Sequence, residues 1–473
     1  MKTKSVIALA LAAFMGFAAH AADTQWKTAV EQMIANGEFA KAEQFMKKLP
    51  RDVRKEQAVR IDSLNTIIDR IRKDFNLTPE EGLARIKKRV PNVTEEQLAH
   101  WKATRKLEVM NIDGQEWWFR KSVGNLWLLA DEFAEDHAKD KQESMEGRRQ
   151  HYLQAMATVP DANGVRNWQT ATIKFTLDVN ADAIPAGETL KVWMPYPYEN
   201  LRQRKIKFIS SNHPVTMSEG SKHHTVYMEA VAEKGKPTHF EYSFSYEVGE
   251  RHVSKSDVLA MLEPYDKNSE VYKRYTMSEA PHMIVTEAMK AKALEIVGNE
   301  TNPVLQAGLI HAWISRSFPW AGAREYSTIA NMSDYVLLNG HGDCGQVALL
   351  YITLCRSLGI PARWESGYML HPGYENYHDW AETYFEGVGW VPTDPSFGRS
   401  TVDTQMHDYY ATGLDVYRLA TNEAVNEPLS PAKTYIRSET VDFQPGEVEW
   451  KGGNLYYDKW DSNMKVESII PVK

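Results

Sequence analysis

Cysteine is almost absent: Cys344 and Cys355 are the two in 473 residues. That excludes a disulfide-built scaffold and a zinc site made of several thiolates, and leaves room for one reactive thiol. A basic surplus is also missing. Fifty-five Lys and Arg stand against 63 Asp and Glu, a net charge of −8, which argues against a nucleic-acid partner. Beyond the N-terminus no run approaches the ~20 apolar residues needed to span a bilayer, so no transmembrane segment is expected. The chain has no His-Glu-x-x-His motif and no acidic calcium loop, so neither a metal nor a cofactor is expected. Internal repeats and low-complexity segments are lacking too. The composition, 43% hydrophobic, 25% charged and 11% aromatic, is that of a folded chain of several domains.

The N-terminus reads as an export signal. Lys2 and Lys4 precede an apolar run from Val6 to Ala19, and Ala19-His20-Ala21 has the small-x-small form of a signal-peptidase site. Cleavage near Ala21 would send the mature chain to a periplasm or the exterior. From Trp26 to about Met156 the pattern is helical. Thr78-Pro79-Glu80-Glu81 and Thr94-Glu95-Glu96-Gln97 each spell a capping box, and Val59, Leu64, Ile67, Ile68 and Ile71 form a helical stripe. Asp113-Gly114 between two short β-like runs marks a hairpin. The charged run Asp131 to Arg149 reads as a solvated face or linker.

From Asn167 to Val248 the period changes to two. Ala171, Ile173, Phe175, Leu177 and Val179 share one face of a strand, as do Phe240, Tyr242, Phe244, Tyr246 and Val248. An antiparallel sandwich is expected. After Pro281 helices return over Met283–Val297, Val304–Ser315 and from Cys344 to Gly359. Strands are predicted at Arg363–Leu370, His378–Glu386 and Gly389–Thr393, followed by a mixed, β-leaning tail.

Chemistry concentrates in Asn339-Gly340-His341-Gly342-Asp343-Cys344-Gly345-Gln346, a glycine-rich turn that places Cys344 at a helix N-terminus. Unpaired amides and the positive end of the macrodipole favour a thiolate there, and could hold an oxyanion. Cys355, eleven residues along the helix, lies ~16 Å further on, too far to bridge, and reads as a core thiol. A thiolate needs a base, and the base an orienting group. His378 and Asp394 are symmetric about Glu386, so a hairpin centred there sets them directly opposite each other.

The blocks Gly342-Asp343-Cys344, Cys355 to Arg363, Gly367-Tyr368, His378-x-Trp380-x-Glu382 and Gly389 to Pro395 resemble the transglutaminase-like superfamily of papain-type cysteine enzymes, of the exported bacterial type. The match runs from about Pro281 to Gly398. By this resemblance Cys344 is the nucleophile, His378 the general base and acid, and Asp394 the orienting residue. Asp379 departs from the family, which commonly carries an apolar residue there; it is read as raising the pKa of the base or as facing solvent. Trp320, Tyr335, Gly345 and Gln346 are candidates for an oxyanion or cleft role. His341 is expected to order the loop, His371 to lie at the surface, and Trp380 and Trp390 to pack in the core. Gly340-x-Gly342-x-x-Gly345 spells a dinucleotide fingerprint only formally, as a lone match in an exported chain.

The expected architecture is α+β and multidomain: signal peptide 1–21, helical domain 22–160, β-sandwich 165–255, papain-like transglutaminase core 265–400 and β-rich extension 401–473. The expected activity is acyl transfer on amides through a thioester, as a peptidase or amidase. The alternatives are a protein cross-linking transglutaminase and a non-catalytic binding scaffold. The substrate would be a peptide, protein or cell-wall peptide amide.

Overall fold

In the computed structural model, described residues are 25–137, 146, 149, 150, 152–154, 156–397 and 404–472; the signal-peptide expectation lies outside them. The chain divides into two compact units, Met1–Leu126 and Trp127–Lys473.

The first unit is a set of short helices and one hairpin. Both capping boxes form, at Thr78 with Glu81 and at Thr94 with Gln97, each hydroxyl and each N3 side chain satisfying an orphan amide. Pro79 sits in the first turn, where a missing N–H costs nothing. Along helix Ala58–Asp74, Leu64, Ile68 and Ile71 are buried against Val30, Phe39, Met46 and Phe75. Val59 drops out of the expected stripe and is 68% exposed, because five residues before Leu64 is about 140° round the helix. Asp113 and Gly114, both with positive φ, turn strand Val109–Ile112 into Gln115–Trp118, as a two-residue hairpin requires.

The second unit holds two five-stranded antiparallel sheets and a smaller mixed region. In one sheet, strand Thr238–His252 lies between Val165–Val179 and both Gln203–Ser211 and Gly413–Leu414. The residues of the two expected apolar faces, Ala171 to Val179 and Phe240 to Val248, are buried together. The other sheet runs Gly453–Leu455, Glu447–Trp450, Thr189–Pro195, Thr225–Val231, Val215–Met217. The tail is therefore more than an extension. Trp460–Pro471 pairs along Val165–Val179, Glu447–Trp450 pairs with Thr189–Pro195, and Arg418–Asn422 pairs with Ala362–His371. Each covers an edge whose backbone donors and acceptors would otherwise lack partners.

A four-stranded sheet, in the order Gly389–Thr393, Tyr374–Phe385, Ala362–His371, Arg418–Asn422, backs the candidate site. Helices Glu287–Val297, Pro303–Ser317, Met332–Asn339 and Cys344–Ser357 complete the region. Helix Cys344–Ser357 is central, with every residue from Gly345 to Arg356 buried. Val347, Leu350 and Leu354 meet Ile310, Ile314, Trp364, Ala381 and Phe385, and each fully buried side chain of this size stabilises by ~1.5–3 kcal/mol. Gly359, at φ +77°, ends the helix as expected.

Candidate active site

The turn into the central helix is built by side chains. Gly340 closes helix Met332–Asn339 in the left-handed conformation. Asp343 then caps the next helix: its carboxylate accepts from the Gln346 amide at 3.1 Å, and Gln346 Oε1 accepts from the Asp343 amide at 3.3 Å. The Tyr326 hydroxyl donates to the same Asp343 carboxylate at 2.5 Å. Gln346 is thus spent on the cap, its Nε2 against Met332 Sδ at 3.6 Å. Gly345 must be glycine for steric reasons, since a Cβ there would meet the Tyr326 hydroxyl and, at 2.8 Å, Asp379 Oδ2.

Cys344 follows the cap, half-buried and without a disulfide; Cys355 is a buried free thiol. Burial pushes Cys355 up to about 12. Burial also pushes the Cys344 thiol well above its ordinary value, reinforced by the Asp379 and Asp343 carboxylates. This corrects the expectation drawn from the helix terminus alone: two acids and desolvation outweigh the macrodipole, and the resting sulfur keeps its proton.

His378 and Asp394 are joined at 2.7 Å, Nε2 to Oδ2, both buried. The register differs from expectation. Ala381 pairs with Thr393, so the hairpin is centred on Gly387 rather than Glu386, and Asp394 lies level with Trp380. A displacement of two residues keeps the same face, and the carboxylate still reaches the imidazole diagonally. Burial would raise Asp394, but His378, the Arg418 guanidinium at 3.1 Å and the Ser396 amide at 2.9 Å hold it below the usual carboxylate range. Burial lowers His378 more than Asp394 raises it. With an ionised carboxylate on Nε2, the proton of the neutral ring sits there and Nδ1 keeps the free electron pair.

Neighbours in a strand point to opposite faces. Asp379 therefore shares a face with Ala381, Thr383 and Phe385, the face that meets the central helix, where Tyr351 and Thr383 hydroxyls pair at 2.8 Å. Cys344 Sγ lies 3.3 Å from Asp379 Oδ2. Among the described residues the thiol's hydrogen-bond partner is Asp379, not His378, and the expected three-residue contact is resolved into two pairs. Neither expectation for Asp379 holds: it is 2% exposed and faces the sulfur. Gln444 Nε2 donates to its Oδ1 at 2.7 Å. Burial and Asp343 push its pKa up to about 8, against the pull of hydrogen bonds from Cys344 and Asp442.

Trp320, 49% exposed, is bridged to Gly342, and the Ala321 amide donates to the Gly342 carbonyl at 3.2 Å. The Trp320 backbone thus flanks the loop that carries Cys344. Tyr335 packs on the core, with the Arg324 guanidinium 5.5 Å from its ring centre. His341 Nδ1–H donates to the Asn339 carbonyl at 3.0 Å and orders its loop. His371 corrects the surface expectation: it is partly buried, 3.4 Å from Asp415 and against Phe397 and Tyr417. Trp380 is fully buried; Trp390 is partly exposed under the Arg363 guanidinium. Sequence reasoning missed Arg418, which bridges Asp394 and Asp415, and Tyr326, Asp442 and Gln444. These carry no motif; they are recruited from loops and the tail by the fold.

Residues 290–395 match the family model of the transglutaminase-like superfamily. A Haemophilus influenzae protein of uncharacterised function is 24% identical over 277 residues, covering 51% of this chain and 74% of its own. Among solved structures, a candidate cysteine protease from Cytophaga hutchinsonii aligns at a TM-score of 0.46 and 16% identity, over 65% of this chain and 93% of that one. The periplasmic domain of TgpA from Pseudomonas aeruginosa aligns at 0.26 and 16%, over 48% and 88%. No helix among the described residues is long and apolar enough to cross a membrane. In its central segment this chain carries a domain of the transglutaminase-like superfamily.

Proposed function

We propose that this protein is an exported cysteine-dependent acyl-transfer enzyme that hydrolyses amide bonds of peptides or proteins, with Cys344, His378 and Asp394 as its triad. The observation that carries the reading is the buried 2.7 Å bond between His378 Nε2 and Asp394 Oδ2, in a segment that matches the transglutaminase-like superfamily. The pair leaves Nδ1 as the basic nitrogen. Nδ1 takes the thiol proton as Sγ turns from Asp379 and attacks the carbonyl carbon. Asp394, held by Arg418, stabilises the imidazolium. Backbone amides of Cys344 and Gly345 receive the oxyanion, and Trp320 flanks the bound chain. The imidazolium returns its proton to the departing amine as the C–N bond breaks, leaving a thioester. Water, deprotonated by His378, then cleaves the thioester, freeing the acid and restoring the thiol.

A second reading draws support from the resting thiol, bonded to Asp379 rather than His378: a non-catalytic scaffold with an inert sulfur. Incubation of the mature chain with glutamine-containing peptides, with and without a primary amine, separates the outcomes. The proposal expects new carboxyl groups or cleaved peptide without amine incorporation, abolished in Cys344→Ala. Amine incorporation would identify a cross-linking enzyme, and no difference between the native chain and Cys344→Ala would leave the scaffold.

A further inference from the structure

The mechanism above leaves one buried group in contact with the sulfur without a task. Asp379 Oδ2 is 3.3 Å from Cys344 Sγ, and its other oxygen is held by Gln444 at 2.7 Å. Asp379 is 2% exposed, and its side chain leaves the strand on the opposite face from His378. Acids face this spot from each element packed around it: Asp343 on the cap, Asp442 and Glu439 from the tail, and Glu325 beyond Glu439. Tyr326 closes the cap side through its bond to Asp343. Arg437 is the cation that reaches the group, its guanidinium on the Asp442 carbonyl.

We propose that Asp379 is a latch on the nucleophile: its ionised carboxylate accepts the Cys344 S–H bond and holds the thiol protonated, away from His378, and protonation of that carboxylate releases it. Opening takes one proton from solvent onto Asp379. The sulfur then turns, and its own proton passes to His378 Nδ1, giving a thiolate and an imidazolium. No other bond changes. The reverse sequence, loss of the Asp379 proton as pH rises, closes the latch. The direction of the Cys344 shift, upward with Asp379 as its chief charged cause, agrees. So does the Asp379 value of about 8, which sets closure on the alkaline side of neutrality. The latch rests on the triad reading for its consequence, but its effect on the sulfur is measurable without any substrate.

The test is the rate of iodoacetamide labelling of Cys344 against pH, read by peptide mass, with Cys355 as internal control. Asp379→Asn removes the charge and keeps the shape and the Gln444 contact. A neighbouring like charge moves a pKa by about one unit or more, and one unit is tenfold in thiolate fraction. Asp379→Asn is expected to label about tenfold faster at pH 9, where the native carboxylate is ionised, and at a similar rate at pH 6.5, with the midpoint of its profile about one unit lower and Cys355 still unlabelled. Asp379→Ala, the smaller replacement, is expected to move in the same direction. An unchanged midpoint would overturn the latch, as would a slower reaction, which would make Asp379 the base. Faster labelling of both cysteines would overturn it as well, by marking a loosened fold. Adding His378→Ala to Asp379→Asn separates the two claims. If the gain disappears, His378 supports the thiolate; if the gain persists, the latch stands and the triad reading fails.

Discussion

Replacing Arg418 tests how the candidate site is held together. Its guanidinium is fully buried, with Nη2 3.1 Å from Asp394 and Nη1 3.2 Å from Asp415, and it lies 4.4 Å from the Phe397 ring centre. Asp394 in turn holds His378, and Asp415 accepts from the Tyr410 hydroxyl at 3.0 Å. Arg418→Met fills similar volume but leaves two buried carboxylates without their cation. Breaking a buried pair from one side costs about 3–5 kcal/mol, mostly from the charge left behind. For a compact unit of roughly 350 residues, an unfolding entropy of ~2.1 cal/mol/K per residue turns this into a Tm loss of ~4–7 °C. Calorimetry of the full chain at pH 7 reads it. Adding Asp394→Asn should return part of the loss, because one stranded charge is then removed. Arg418→Lys should lie between, since an ammonium cannot serve both acids with a planar fork. A Tm loss below ~1 °C for Arg418→Met would refute the claim that this guanidinium holds Asp394 ionised.

The remaining predictions concern the cap, the core thiol and acid–base behaviour. Gly345→Ala forces a methyl group onto Tyr326 and Asp379; overpacking costs about 1–3 kcal/mol, and Cys344 labelling should change with stability in the same variant. Asp343→Ala removes the helix cap and the Tyr326 partner, with an expected loss of about 1–2 kcal/mol by urea unfolding. Cys355, fully buried and pushed up to about 12, should resist alkylation until the fold is opened with denaturant. His378 and Asp394 both titrate below their unfolded values, so the unfolded chain binds protons that the native one refuses. Stability should fall as pH drops through ~6.5, and again below ~3.9. Asp379 acts oppositely: with a native value of about 8, it costs stability as pH rises from ~3.9 towards 8. Between ~3.9 and ~6.5 the two trends oppose each other, so the Tm should decline chiefly from pH ~6.5 to 8, and Asp379→Asn should remove that decline and expose the loss on the acid side.

Local signals in the sequence carried far. The two capping boxes, the Asp113-Gly114 turn and the period-two faces of Val165–Val179 and Thr238–His252 depend on neighbours a few residues apart, and each forms. The His378–Asp394 bond survives an error in hairpin centre because a shift of two positions preserves the face. The facing of Asp379 was harder to read. Both sides of strand Tyr374–Phe385 are buried, with Trp380 on one and Ala381 and Phe385 on the other, so hydrophobic alternation does not say which side meets the helix. Arg418, Asp442 and Gln444 come from a tail whose strands pair with partners as far as about 300 residues away, and no spacing rule encodes that. The thiolate expectation failed for a related reason: the helix terminus is local and legible, whereas the acids around it are assembled only by the fold.

In the proposed reaction the Cys344 sulfur becomes acylated with His378 as its base. Single-turnover reaction with a p-nitrophenyl ester, quenched in acid and read by intact mass and peptide mapping, addresses it most directly. One acyl adduct is expected, on Cys344, absent in Cys344→Ala and formed much more slowly in His378→Ala. An adduct that persists without Cys344, or that forms equally fast without His378, would contradict it.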